Sequence, residues 1–258
     1  MGTKLRVLDL FSGIGGFSLG LERTGGFETV AFCEIEEFPR RVLAKHWPEV
    51  PCYHDVRELT AETLRRDGIA VDVITGGFPC QDISSAGRKA GIAGGTRSGL
   101  YAEVIRLAGD IRPNFIILEN VANLLAGPSG QPGGWFGIIL RDLAELGYDA
   151  EWENIPAAAV GLAHRRERIW IVAYPPEKRP IAGLEGILQG KAARQLGRGP
   201  GRPWVFGLDN PRVCGVDDGI RPRLDPHFAL GNTVVPQIPE LIGRAILNAV
   251  RDSARSLP

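Results

Sequence analysis

The sequence contains no uninterrupted apolar run near the roughly 20 residues that a membrane-spanning helix requires. No membrane partner is therefore expected. Its first residues, Met1-Gly2-Thr3-Lys4, lead straight into an apolar strand-like run, so no signal peptide is expected either. Cysteine is scarce: Cys33, Cys52, Cys80 and Cys214 are the four present. None forms a C-x-x-C pair, which argues against zinc. Their wide spacing in a long chain argues against a disulfide framework and for a reduced cytosol, so the expected location is cytoplasmic. Net charge is also lacking, with 30 Lys/Arg against 30 Asp/Glu. There is no internal repeat.

The neutral total conceals an uneven distribution. Residues 1–160 hold 15 Lys/Arg and 21 Asp/Glu, a net of −6, whereas residues 161–223 hold 12 and 6, a net of +6. The basic stretch could face phosphates, or it could be a solvated arginine-rich loop. The 258 residues, 44% of them hydrophobic, suit one large domain or one with a small appendage.

Along the first 175 residues, short apolar runs alternate with helix-like stretches. Strands are expected at Leu5 to Leu10, Thr29 to Cys33, Val71 to Thr75, Phe115 to Leu118 and Ile169 to Ala173, with a short one at Cys52-Tyr53-His54. Helices are expected at Phe17 to Arg23, Glu36 to His46, Gly99 to Asp110 and Trp135 to Leu146. This alternation predicts an α/β fold with a parallel, doubly wound sheet. The pattern changes at Tyr174. Residues 175–223 are rich in Pro, Gly and Arg, and helical spacing returns at Ile238 to Val250.

Three strand ends carry chemistry. Asp9-Leu10-Phe11-Ser12-Gly13-Ile14-Gly15-Gly16-Phe17 follows the first strand and opens a helix. Its glycines permit a tight turn and the close approach of a nucleotide-like ligand. Glu34 ends the next strand, where an acid is placed to bond ribose hydroxyls. The run is not G-x-G-x-x-G, which points away from NAD. Asp55 could accept a bond from an adenine amino group, or could simply be a turn aspartate. Cys80, in Gly76-Gly77-Phe78-Pro79-Cys80-Gln81, lies just past a buried strand, where open α/β sheets bind ligands. Alone it would be read as a small buried hydrophobe. The run Phe115-Ile116-Ile117-Leu118 changes that reading, because it delivers Glu119-Asn120 to a parallel strand end from which a carboxylate can converge on the same cleft. The following segment, Ser84 to Gly99, holds five glycines with Arg88, Lys89 and Arg97, which suits a basic loop closing over a ligand.

These runs, in this order, resemble the DNA cytosine-5 methyltransferase family of the bacterial and phage type. Asp9 to Leu21 resembles the family's first motif, Gly77 to Gln81 its catalytic-loop motif, and Glu119-Asn120-Val121 its Glu-Asn-Val motif. His164 to Ile169 resembles its Gln-x-Arg-x-Arg motif, and Gly231-Asn232-Thr233-Val234-Val235-Pro236 its final one. The resemblance implies a Rossmann-like methyltransferase sheet and S-adenosylmethionine as cofactor, leaving as S-adenosylhomocysteine, with no metal. Phe11, Gly13, Gly15, Gly16, Glu34, Ile35, Asp55, Val56, Pro79, Leu100 and Asn232 would form the cofactor pocket. Cys80 would be the nucleophile, Glu119 would hold the cytosine at its ring nitrogen and amine, and Arg166 and Arg168 would anchor that edge. Double-stranded DNA would be the partner, met by Gln81, Ser84, Arg88, Lys89 and Arg97, and by Arg194, Arg198, Arg202 and Arg212 of the variable region. The target base would be flipped from the duplex. Residues 1–174 would form the catalytic domain, 175–222 a short target-recognition lobe and 223–258 a segment returning to the catalytic domain. The resemblance further implies a monomer in a bacterial or phage-infected cell, acting as an orphan or alongside a cognate restriction endonuclease.

Two positions depart from the family pattern. His164 stands where glutamine is usual, adding a titratable group. Ile35 stands where many members carry an aromatic, and can still pack on adenine. RNA-directed relatives usually carry Pro-Pro-Cys and Cys-Phe-Thr. This chain has Phe78-Pro79-Cys80 and no Cys-Phe-Thr, which favours DNA. A non-catalytic DNA-binding descendant would be expected to have lost Cys80, Glu119 or the arginines, and all are present.

Overall fold

The apolar runs assemble into a seven-stranded sheet in the computed structural model, which describes residues 3–79, 99–126, 134–160, 166–178 and 233–255. The strands are β1 (Leu5–Leu10), β2 (Phe27–Cys33), β3 (Cys52–Tyr53), β4 (Val73–Gly76), β5 (Phe115–Val121), β6 (Asp149–Pro156) and β7 (Glu167–Tyr174). The helices are α1 (Gly16–Glu22), α2 (Glu37–His46), α3 (Ala61–Arg66), α4 (Gly99–Ile111), α5 (Gly134–Glu145) and α6 (Gln237–Arg255).

The strand order is β3-β2-β1-β4-β5-β7-β6. From β1 the chain winds outward through α1 and β2 to β3, then crosses back to place β4 on the other side of β1. The reversal opens a crevice at the carboxyl ends of β1 and β4, the place where open sheets of this kind bind ligands. The pairs β1–β2, β1–β4, β2–β3 and β4–β5 are parallel.

The expected all-parallel sheet is instead mixed. β7 runs antiparallel to both neighbours, β5 and β6. The β6 strand was not expected, and its residues show why. Asp149-Ala150-Glu151-Trp152-Glu153-Asn154 is a polar edge strand, exposed or half-buried along most of its length. An edge strand of that kind lacks the continuous apolar run of a central one. The single-turn scale of α3, six residues capped by Thr60, likewise leaves little periodicity to read.

Alternate residues of each strand feed two apolar layers. Leu8, Leu10, Ile74, Ile116 and Leu118 face α4 and α5, meeting Val104, Leu107, Ile139 and Leu143. Val7, Val73, Phe115 and Ile117 face the opposite layer, meeting Phe17 and Leu21 of α1 with Ile238, Leu241 and Ile242 of α6. α6 lies against α1 at close range, and glycine makes that possible. A Cβ on Gly20 would stand 2.2 Å from the Pro236 carbonyl oxygen.

Candidate active site

The turn after β1 is built by backbone conformations that favour glycine. Gly13 and Gly15 have φ of +53° and +85°. Phe11 also adopts a positive φ, 52°, which is strained for an aromatic residue and occurs mainly where the surroundings enforce it. The enforcement is visible in hydrogen bonds. The Ser12 hydroxyl donates to the Asp9 carbonyl at 2.5 Å, and the Cys33 amide donates to Ser12 Oγ at 3.2 Å, which ties the turn to the end of β2. Beneath it, the fully buried Asp9 accepts from the Thr75 hydroxyl of β4 at 2.7 Å and from Ser18 of α1 at 2.8 Å. One carboxylate thus joins three elements at the crevice floor. Burial pushes its carboxyl up to about 7, against the pull of those two hydroxyls.

Glu34 leaves the end of β2 and turns back to this loop. Its Oε2 accepts from the Gly13 amide at 2.7 Å and its Oε1 from the Glu36 amide at 2.8 Å. Burial raises its carboxyl above the usual range, and the two amides oppose the rise. Each oxygen retains acceptor capacity beyond these bonds. Among the described residues, none beyond its chain neighbours comes within 4 Å of where a Cβ on Gly13 would stand, so they leave open space beside the acid. Ile35, next in sequence, is 50% exposed, a large apolar side chain presented to solvent beside an anchored carboxylate. Those features fit a ribonucleoside. Phe11 is half-buried and lies near Gly76, Val56 is buried, Leu100 packs against the apolar layer and Pro79 is exposed.

Asp55 is already engaged. Its oxygens accept from the Arg57 amide and Nε, each at 2.9 Å, and from Arg57 NH2 at 2.5 Å. The guanidinium holds its carboxyl down to about 2. Arg57 is well exposed, so the pair is solvated on one side. Asp55 thus pairs with Arg57 two residues on, and an adenine amine would have to share it with that guanidinium.

On the other side of the crevice, β5 and β7 present the second cluster. Phe115, Ile117 and Glu119 share one face of β5. Across the antiparallel register Glu119 is paired with Trp170, which places Arg168, two residues away, on the same face as its diagonal neighbour. Arg168 Nε meets Glu119 Oε1 at 2.9 Å. Glu119 is 8% exposed. Burial pushes its carboxyl up, while the charges of Arg168 and then Arg166 pull it back. Arg166 is half-buried, and burial followed by repulsion from Arg168 lowers its pKa, against the pull of Glu119. The opposite face of β5 carries Asn120, whose Nδ2 donates to the Phe78 carbonyl at 3.0 Å. That bond fixes the stalk of the loop that begins at Pro79. Glu119 Oε2 would lie 3.4 Å from a Cβ on Gly77, so the segment after β4 passes within contact distance of the acid.

Cys80, Gln81, Ser84, Arg88, Lys89, Arg97, His164, Arg194, Arg198, Arg202, Arg212 and Asn232 lie outside the described residues, as do the basic loop and the variable region. Among the described residues no cluster of three or more His, Cys, Asp and Glu could hold a metal ion. No described helix is long and apolar enough to cross a membrane. Sequence reasoning did not single out Thr75, Ser18 or Trp47. Trp47 donates its indole N–H to Glu22 at 2.9 Å and lies 2.7 Å from where a Cβ on Gly15 would stand. The first two meet Asp9 only once β4 pairs with β1 and α1 follows the turn. Nothing local marks the third.

A doubly wound sheet with a reversed seventh strand, a glycine turn facing an acid, and a buried carboxylate paired with an arginine across β5 and β7 fit the Rossmann-like methyltransferase fold. The chain belongs to the C-5 cytosine-specific DNA methylase family, whose model matches residues 5–192. It is 37% identical over 193 residues to the type II methyltransferase M.Sau3AI of Staphylococcus aureus, covering 71% of this chain and 46% of that protein. It is 36% identical to the type II methyltransferase M2.BsuMI of Bacillus subtilis, covering 66% and 42%. The chain thus spans under half the length of these curated relatives. Among solved structures, the methyltransferase EhMeth of Entamoeba histolytica superposes with a TM-score of 0.55 at 21% identity, over 69% of this chain and 55% of that one, a likeness of fold.

Proposed function

We propose that the chain transfers a methyl group from S-adenosylmethionine to carbon 5 of a cytosine flipped out of duplex DNA. The observation that carries the reading is Glu119, a buried carboxylate gripped by Arg168 at 2.9 Å, next to Asn120, which anchors the Phe78 carbonyl two residues before Cys80 in sequence. Carbon 5 of cytosine is a poor nucleophile while the ring is aromatic. Addition of the Cys80 thiolate at carbon 6 breaks the aromaticity and makes carbon 5 enamine-like. The electron pair then needs a sink at the ring nitrogen. Glu119, whose carboxyl is pushed toward the protonated form by burial, supplies a proton or a hydrogen bond there. Arg166 and Arg168 hold Glu119 in place, and positive charge near the loop favours the thiolate. Once carbon 5 carries the methyl group and the demethylated cofactor has been left behind, loss of the carbon 5 proton to a base or water and expulsion of the Cys80 thiolate restore the ring.

Glu34 and the Gly13 turn would hold the ribose, Ile35 and Phe11 would contact the adenine, and Asp55 with Val56 would meet its polar edge. Bound there, S-adenosylmethionine supplies an electrophilic methyl group. Residues 1–174 with 223–258 would carry this chemistry, and residues 175–222 would read the target sequence. The two named relatives are type II methyltransferases, which supports a companion restriction endonuclease.

Labelled-methyl transfer to duplex DNA, with transfer RNA as the comparison, tests the substrate. Trapping on DNA containing 5-fluorocytosine tests the mechanism. A covalent adduct is expected with the native protein and none with Cys80→Ser. Glu119→Gln should lower turnover by about 10²–10⁴-fold while leaving cofactor binding intact. Adduct formation by Cys80→Ser, or methylation confined to RNA, would overturn the reading.

A further inference from the structure

Between β3 and α3 the chain makes a tight turn in which the Asp55 carbonyl accepts from the Glu58 and Leu59 amides, both at 3.1 Å. Val56 and Leu59 point their side chains into the apolar layer and are 5% and 2% exposed. The carbonyls of these same two residues are held by one side chain from far along the sequence. Arg106 of α4 donates from a single terminal nitrogen to Val56 O at 3.1 Å and to Leu59 O at 2.8 Å. Its Nε donates to Glu103 at 2.7 Å, and Asp110 lies 3.8 Å from its other terminal nitrogen. Acids one turn before and one turn after on α4 therefore fix the planar fork, which leaves the remaining nitrogen aimed at the turn. The side chain is 34% exposed.

We propose that Arg106 is a positioning residue for adenine recognition, which rests on the cofactor reading above. The turn it holds carries Asp55 and Val56, and the helix it comes from begins with Gly99-Leu100. One guanidinium thus joins two walls of the same crevice. If sealing the helix to the turn were its only task, an apolar residue would do as well, because both sides already pack through Val56, Leu59, Val104 and Leu107. What the guanidinium adds is orientation of the peptide groups that flank Asp55. The Val56 carbonyl is one peptide from the Asp55 carboxylate and from the Val56 amide, the two groups able to distinguish the amino edge of adenine. A turn free to rotate would still bury its apolar side chains, yet would no longer present that edge in one geometry.

The test compares binding of S-adenosylhomocysteine and S-inosylhomocysteine to the full chain by calorimetry, in the native protein, Arg106→Met and Arg106→Lys. The inosyl ligand replaces the amino group that Asp55 would accept from with a carbonyl oxygen. The native protein should favour the adenosyl ligand by about tenfold or more, the scale of one discriminating hydrogen bond. In Arg106→Met the adenosyl affinity should fall by about tenfold and the inosyl affinity by under about twofold, so the preference collapses. KM for the methyl donor should rise in step while kcat at saturation stays within about threefold. Should Arg106→Met not fold, Arg106→Lys carries the same test, with part of the preference lost. A preference unchanged in the folded variants, even with weaker binding overall, would show a merely structural tie and refute the proposal. A native protein that binds neither ligand would instead refute the cofactor reading itself.

Discussion

Asp9 is the residue on which the crevice floor depends, and it illustrates how a buried acid links stability to pH. It is fully buried and accepts from the hydroxyls of Thr75 and Ser18 and from the Ser18 backbone amide. Burial moves its carboxyl from an ordinary value near 3.9 up to about 7, and the nearby Glu34 charge adds to the rise. The folded protein then binds this proton more tightly than the unfolded chain. Stability from this group is complete below about pH 4 and is lost as pH rises toward about 7. Denaturant unfolding at pH 5 and pH 8 should show the native protein losing on the order of 3 kcal/mol relative to Asp9→Asn. Parallel pH profiles for the two proteins would rule this out. The sequence made the acid visible, because it opens the glycine-rich run. Its two partners were hidden, because Thr75 reaches it only through the β1–β4 pairing that the fold creates. Glu119 was more legible, since it ends an apolar strand run, whereas Arg168, which opens one, stood out only through the family resemblance. Their 2.9 Å contact still depends on β7 running antiparallel to β5, contrary to the parallel sheet that alternation predicts.

At the scale of elements, the glycines divide by what surrounds them. Gly13 needs its conformation, with φ of +53° and, among the described residues beyond its chain neighbours, nothing within 4 Å of an added Cβ. Gly20 needs its missing side chain, because a Cβ would stand 2.2 Å from the Pro236 carbonyl and 3.1 Å from the Glu240 amide. Backbone cannot step aside as a side-chain tip can. Gly20→Ala should therefore push α6 off α1 and cost about 1–3 kcal/mol, whereas Gly13→Ala should cost about 1 kcal/mol from strain alone. Thermal melts should rank the two in that order. Cofactor affinity should rank them oppositely, because the open space at Gly13 is where the ligand would approach. Equal loss of affinity in both would contradict the placement of the ligand at this turn. Helices α2, α4 and α5 and the five longer expected strands were legible because their apolar faces are continuous. Strand β6 was not, because alternating acids on a sheet edge carry little apolar signal, and nothing in its composition says that β7 will pair with it.

For the whole molecule, the division of charge remains the feature that best separates its parts. The acidic residues 1–160 contribute six of the seven strands, and the basic residues 161–223 add β7 with Arg168 and contain the segment proposed to meet DNA. Phosphate contacts from such a segment would set register and salt dependence, while sequence would be read by few side chains at base edges. Residues 175–222 are a small allotment for that task. A module of a few tens of residues that docks in the major groove reads about three base pairs and buries roughly 600–1,000 Å². Arg194, Arg198, Arg202 and Arg212 cannot all be spent on bases if some must neutralise phosphate. The expected outcome is a methylated motif of about four base pairs or fewer. Sequencing of methylated cytosines in DNA from a methylation-free host expressing the chain measures it directly. A strict six-base motif would mean that residues outside 175–222 share the reading, and the basic loop after Cys80, with Arg88, Lys89 and Arg97, would be where to look by alanine substitution.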